Sequence, residues 1–225
     1  MQGNTQGFRV DLHTHSIISY DGGITAEQYE RLLNTGKLDC IAITDHNDIS
    51  FAKTMQKKLG HAIIVGEEIT TKEGEIIGLF LKEAIPADLS LDEAVASIKH
   101  QKGLVYIPHP FETFRKGVQS GMLERIRQDV DIIETFNARG FLRGRAKDAE
   151  SFRQKHSLSG AASSDAHGYA GAGSAFSIIE ELPTVDTLVS LLAKGSMHKK
   201  YAPGYTFLYP FINKITNRLA LTNYR

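Results

Sequence analysis

Short apolar runs alternate with longer amphipathic stretches along the 225-residue chain. The runs are Phe8–Leu12, Cys40–Thr44, Ala62–Val65, Ile76–Leu81, Leu104–Ile107, Val130–Thr135, Leu158–Ala162 and Ala175–Ile179. Rich in Ile, Val and Leu, they read as strands buried on both faces. Helices are expected between most of them. Thr25 with Gln28, and Ser90 with Glu93, have capping-box spacing, and Gly36 and Gly103 stop the stretches that follow. Further helices are expected over about Ser50–Leu59, Gly144–Lys155 and Val185–Leu192. Between Ala62 and Leu81 two runs follow each other with Glu73-Gly74 between them, which predicts a hairpin.

Strand–helix alternation implies a parallel sheet with helices outside. Seven or eight strands in this length suit a small (β/α) barrel, incomplete or distorted, better than the alternative of an open doubly wound sheet. No G-x-G-x-x-G or P-loop follows the first run, which weakens the nucleotide-binding form of that alternative. There is no repeat or linker, so a single domain over 1–225 is expected. Residues 203–225 would form a helical extension, since Leu208, Ile212, Ile215 and Leu219 recur at helical spacing with Lys214 and Arg218 outside. The simplest expectation packs that stripe on the barrel; a dimer contact or a membrane-surface helix is the alternative.

Lys+Arg and Asp+Glu both number 26, so net charge is near zero, which argues against bulk binding of nucleic acid or anionic membrane. The longest apolar run, Ile76–Leu81, is far short of the roughly 18 residues of a membrane span, and the N-terminus lacks the pattern of a signal peptide. Cys40 is the single cysteine; it excludes an intramolecular disulfide or a Cys-based zinc site and reads as a small core residue. The cytoplasm is the expected compartment.

The chemistry lies directly after the apolar runs. His13 and His15, Asp45 and His46, Glu67 and Glu68, His109, Glu134 and Asn137, and Asp165 and His167 each follow or close one. In a parallel barrel these strand ends open onto one face. Histidines and carboxylates crowded in one cleft need a neutralising charge, which divalent metals supply. Imidazole and carboxylate without thiolate suit Zn²⁺, Mn²⁺ or Fe²⁺, and the donors exceed what one ion needs, so two or three metals are expected.

The motifs Asp11-Leu-His13-Thr-His15-Ser16, Ser19-Tyr-Asp21-Gly22, Thr44-Asp45-His46, Gly66-Glu-Glu68-Ile69, Pro108-His109-Pro110 and Ser164-Asp165-Ala-His167 together resemble the PHP (polymerase and histidinol phosphatase) family over residues 8 to about 180. The resemblance implies a distorted (β/α)7 TIM-like barrel of α/β class, a di- or trinuclear metal centre and phosphomonoester hydrolysis by a bridging hydroxide. It is closest to the small bacterial phosphoesterases, some of which act on nucleotide 3′-phosphates. It places His13, His15, Asp21, His46, Glu68, His109, Asp165 and His167 at metal-ligand positions, with Glu67 as fallback for Glu68. Glu75 stands where such nucleotide phosphoesterases often have His; a carboxylate can still ligate. His109, Asp165 and His167 are the candidate catalytic residues. A small phosphorylated substrate is expected, a nucleotide among the candidates, gripped by Arg139 and Arg143, whose planar guanidinium forks suit phosphate oxygens. Arg145 is expected to face outward.

Other polar residues have plainer expectations. Asp45 and Asp11 would orient His46 and His13. Only one of Glu134 and Asn137 should face inward, because one strand face does. His61, His100 and His156 lie near helix ends, and His198-Lys199-Lys200 reads as a solvated turn. The Gly168–Gly173 loop would let backbone pass close to the metals. An amidohydrolase and a non-catalytic metal-binding accessory module remain the competing functions.

Overall fold

A computed structural model describes residues 7–141 and 145–222, with side chains to 216. In chain order the elements are β1 (Phe8–Asp11), α1 (Ala26–Asn34), β2 (Cys40–Ile43), α2 (Ser50–Leu59), β3 (Ile63–Thr71), β4 (Gly74–Leu79), α3 (Leu91–His100), β5 (Leu104–Ile107), α4 (Ser120–Ile126), β6 (Ile132–Asn137), α5 (Ala146–His156), β7 (Ser159–Ser163), β8 (Phe176–Ile179), α6 (Leu188–Lys194), β9 (Ser196–His198) and α7 (Tyr209–Thr222). Both capping boxes form. Gln28 N donates to Thr25 Oγ1 at 3.3 Å while Thr25 N donates to Gln28 Oε1 at 3.1 Å, and Ser90 and Glu93 repeat the exchange.

The strands form one nearly closed barrel-like sheet in the order β7-β6-β5-β4-β3-β2-β1-β8-β9. The gap is drawn together by a parallel bridge between Thr14 and Ala166 and by a hydrogen bond from Ala162 N to Ser177 Oγ. Alternation sorts the core into two layers. Cys40, Ala42, Ile64, Ile77 and Tyr106 pack together with Val10, Leu12 and the α6 leucines, whereas Ile41, Ile43, Ile63 and Val65 pack with residues of α1, α2 and α3.

The sheet is not all parallel. β3 and β4 form the expected hairpin, so β4 runs antiparallel to both β3 and β5, and β8 runs antiparallel to β1. The reversal of β4 puts its first residues, not its last, at the mouth where β3 carries Glu68. Glu75 reaches the mouth for that reason.

Two expectations about elements need correction, and one helix, α4, was not expected. His198 is in β9, paired with β8, and stacks on Phe176 with ring centroids 4.7 Å apart, rather than lying in a solvated turn. α4 has no cap signature and its seven residues escaped the hydrophobic pattern. α7 does not bury its apolar stripe in the described chain: Leu208, just before it, is 58% exposed, and Phe211, Ile212 and Ile215 are 67%, 46% and 46% exposed. It docks by another face, through Tyr209 and Asn213. The side chains of Arg218 and Leu219 lie outside the described residues.

Candidate metal centre

At the mouth the strand ends deliver imidazoles and carboxylates to a common point. His13 and His15, two apart after β1, turn their Nε2 atoms toward each other at 3.1 Å. Glu68 Oε2 sits 3.3 Å and 3.2 Å from those two atoms and 3.5 Å from His46 Nδ1. The other oxygen, Oε1, lies 3.1 Å from His109 Nε2. Asp165 Oδ1 is 3.6 Å from both His13 Nε2 and His15 Nε2. On one side Asp21 faces His46 Nε2 at 3.7 Å and His167 Nε2 at 3.4 Å. Among the described residues four groups have ligand atoms within 4.8 Å of one another: His15–Asp21–His46–His167, His13–His15–Glu68, His13–His109–Asp165 and Glu68–Glu75–His109. Together they contain all nine residues that the sequence marks as candidate metal ligands.

The donor set fits divalent ions. The Glu75 carboxyl is pushed up to about 8 by burial and then by the charge of Glu68, a cost that a bound cation would remove. His15 Nδ1 and His109 Nδ1 are buried with no hydrogen-bond partner. Burial also raises Glu68, but the charges of His13 and His46 and the hydrogen bonds it accepts outweigh that and hold it well below the usual carboxylate range. Burial and then the neighbouring Arg139 push His167 down to about 3. Two of the site residues have left-handed backbone, His109 at φ 29° and Asp165 at φ 50°. Such conformations cost of order 1–3 kcal/mol and persist where surrounding structure enforces them.

Around this cluster a set of buried acids holds the loops. Glu67, one residue from Glu68 on the strand, faces away from it and accepts a hydrogen bond from Ile85 N. Asp45 does not orient His46; its carboxylate accepts from Ser16 N at 2.6 Å and Ser16 Oγ at 2.5 Å. Asp11 accepts from His13 N, Ser164 N and Gly173 N, tying the loops after β1 and β7 together.

Glu134 and Asn137 both face inward, against the expectation of one. A bulge between Glu134 and Phe136 shifts the β6 register, so residues three apart share a face. Asn137 Nδ2 donates to Glu134 Oε2 at 2.8 Å and to Asp165 Oδ2 at 3.2 Å.

Arg139 points into the site, with Nη1 3.3 Å from Asp165 Oδ1 and 3.0 Å from His167 Nδ1. Arg143 lies outside the described residues. Arg145 pairs with Asp148 on the exposed side. Sequence reasoning missed Arg115, from the loop after β5, which donates to Asp165 Oδ2, Asn137 Oδ1 and Glu112. Its signal was available: it follows His109 in the same strand-end loop. The mouth is a cavity of about 240 Å³ whose rim includes Tyr20, Phe114, Lys116, Arg139 and Lys214. The remaining histidines lie elsewhere. His61 and His100 are exposed, and His156 pairs with Glu124 at 3.1 Å.

The nearly closed α/β barrel-like sheet is the fold of PHP-like proteins. A two-domain protein of Bacteroides vulgatus, said to contain a predicted PHP-like metal-dependent phosphoesterase, superposes with a TM-score of 0.70 at 17% identity, over 92% of this chain and 69% of its own. An amidohydrolase of Chromobacterium violaceum gives 0.57 at 17% identity over 83% and 96%. The lesion-specific endonuclease EndoQ of Pyrococcus furiosus gives 0.65 at 15% identity over 84% and 57%. No family model matches the chain. Two uncharacterized proteins of Methanocaldococcus jannaschii are nearer in sequence. MJ0417 is 36% identical over 77% of this chain and 71% of its own length, and MJ1587 is 37% identical over 58% and 82%. The chain belongs to the family of these two archaeal proteins, and its fold is the PHP fold.

Proposed function

We propose that the protein is a metal-dependent phosphoesterase acting on phosphomonoesters. The observation that supports this best is Glu68, whose two carboxylate oxygens face different imidazoles, His109 on one side and His13, His15 and His46 on the other. A carboxylate so placed suits a bridge between ions. His13, His15, Asp21, His46, Glu75, His109, Asp165 and His167 would complete the donor set. Two or three ions, Zn²⁺, Mn²⁺ or Fe²⁺, match donors of this kind. Divalent ions held there supply Lewis-acid polarisation of a phosphoryl oxygen and activation of water for attack on phosphorus.

The chain's own groups do the rest. Arg139 and Arg115 bring guanidinium charge to the edge of the cluster, where it offsets charge on the phosphoryl oxygens. Both are held in place by Asp165, so they need no reorganisation when substrate enters. Glu134 orients His13. Asp165 and His167 lie against Arg139 at the edge of the donor cluster, and with His109 they are the candidate catalytic groups. A nucleotide 3′-phosphate is one substrate of this class, and Arg143 is a further candidate for its recognition. The expected compartment is the cytoplasm, and among the described residues no helix is long and apolar enough to cross a membrane.

The test is a substrate panel on metal-loaded protein. Phosphomonoesters, including sugar phosphates, histidinol phosphate and 3′- and 5′-nucleotides, should turn over, and His46→Ala should lose most of the activity. The amidohydrolase neighbour gives a second reading its standing, so amides, lactones and cyclic amides belong in the same panel. Their turnover with phosphoesters untouched would replace the phosphoesterase reading, and no turnover of any substrate would favour the accessory module.

A further inference from the structure

α7 lies across the mouth, and one of its side chains joins the two loops that carry half of one ligand group. Asn213 Nδ2 donates to the main-chain carbonyl of Asp21 at 2.9 Å and to that of His167 at 2.8 Å. Both neighbours are carbonyl oxygens, which can only accept, so the amide nitrogen must face them and the orientation of the side chain is fixed by its surroundings. Both amide hydrogens are used.

The loops are shaped to receive the helix. A Cβ at Gly23 would stand 2.8 Å from Asn213 Nδ2, and a Cβ at Gly168 would stand 2.6 Å from the Tyr209 ring. Each loop therefore has a glycine where an α7 side chain seats. Asp21 and His167 are themselves neighbours in the group with His15 and His46, Oδ2 to Nε2 at 3.4 Å. They come from loops far apart in sequence, and Asn213 holds the backbone of both.

We infer that Asn213 is a positioning residue for the ion site formed by His15, Asp21, His46 and His167, so that α7 is a structural part of the metal centre. The inference rests on the reading of that group as an ion site. By holding the peptide carbonyls of Asp21 and His167, Asn213 fixes the distance between their side chains. Groups that orient ligands in this way typically change metal affinity 10–100-fold when removed. The other three groups contain neither Asp21 nor His167 and have no contact with α7 through Asn213, so their affinity should not depend on it.

The experiment is titration of Mn²⁺ into the metal-free full-length protein, followed calorimetrically, for the wild type and three variants. Asn213→Asp keeps the shape and removes both donors. Gly23→Ala disturbs the same contact from the other side and leaves the amide intact. Ile215→Ser, on the exposed side of the same helix, is the control. The expected result is that the first two each weaken one ion of the set 10–100-fold, leave the remaining ions unchanged, and resemble each other. The control should bind as the wild type does. Unchanged binding in both test variants would overturn the inference, and so would a uniform loss of all ions accompanied by a lowered melting temperature of the metal-free protein, the mark of general destabilisation. Absence of Mn²⁺ binding by the wild type would instead overturn the metal reading beneath it. If Asn213→Asp does not fold, Gly23→Ala alone decides.

Discussion

Glu134, which is not itself a ligand candidate, ties together four groups of the centre's framework. Its Oε1 faces His13 Nδ1 at 3.3 Å and accepts from Tyr106 Oη at 2.9 Å; Oε2 accepts from His109 N at 2.6 Å and Asn137 Nδ2 at 2.8 Å. Burial alone would raise its carboxyl, but the hydrogen bond from His13 and the charges of His13 and His109 outweigh that and keep it below the ordinary range. A carboxylate there favours a proton on His13 Nδ1 and leaves Nε2 as the donor atom. Glu134→Gln should therefore weaken metal binding by about 10–100-fold. Glu67→Gln, one strand face away, should leave it near the wild-type value; calorimetric titration of both variants checks the pair. Cys40 makes a simpler case. It is fully buried, and burial pushes its thiol up to about 12. Thiol reagents should leave the folded protein unlabelled and modify one cysteine after denaturation.

Single elements carry their own consequences. Thr25→Ala removes one half of the α1 capping box and should cost about 1 kcal/mol of stability, read from denaturant unfolding. Gly117 closes the loop that presents Arg115, and a Cβ there would stand 2.2 Å from the carbonyl oxygen of His109. Gly117→Ala must shift that loop, and a displacement of about 1 Å near a reacting centre can cost up to about 100-fold in rate. The expected signature is a fall in kcat/KM on a phosphomonoester together with weaker metal binding, because the clash falls on the carbonyl of the ligand candidate His109. The same scale explains what the sequence revealed. His13, His15, His46 and His167 stood out because each follows an apolar run that reads as a strand. Both capping boxes were legible because their spacing is local. The β6 bulge was not, since strict alternation puts Glu134 and Asn137 on opposite faces until an extra residue intervenes. Nor could periodicity reveal that α7 would seat Tyr209 and Asn213 on two glycines and turn its apolar stripe outward.

For the molecule as a whole, the cluster joins ligand candidates from loops spread between His13 and His167. An unfolded chain cannot assemble such a set, so a metal bound by it would add directly to folding stability. An ion present at about 100 times its dissociation constant contributes about 2.7 kcal/mol. Removing it with a chelator should lower the melting temperature by roughly 5–10 °C, since about 2–4 °C corresponds to each kcal/mol in a protein of this size. Adding Mn²⁺ or Zn²⁺ back should restore it. Metal retention should also fall as pH drops, because ligand imidazoles must be neutral to bind; His15, where burial is outweighed by hydrogen bonds to Asp165 and Glu68 that raise it to about 9, takes up its proton early in that descent.

The wide spacing of the ligands also sets an order of events at the ribosome. Residues through His109 are made well before Asp165 and His167, and Asn213 follows later still. At about 5–20 residues per second, the early histidines and Glu68 wait on the order of seconds for the partners that complete the cluster. During that interval the nascent chain offers only fragments of a coordination shell. Ions captured early would be held loosely and could exchange, whereas the finished set of donors selects what stays. A metal held by this set of donors would thus be selected after synthesis of α7, by the folded protein and the ions then available to it.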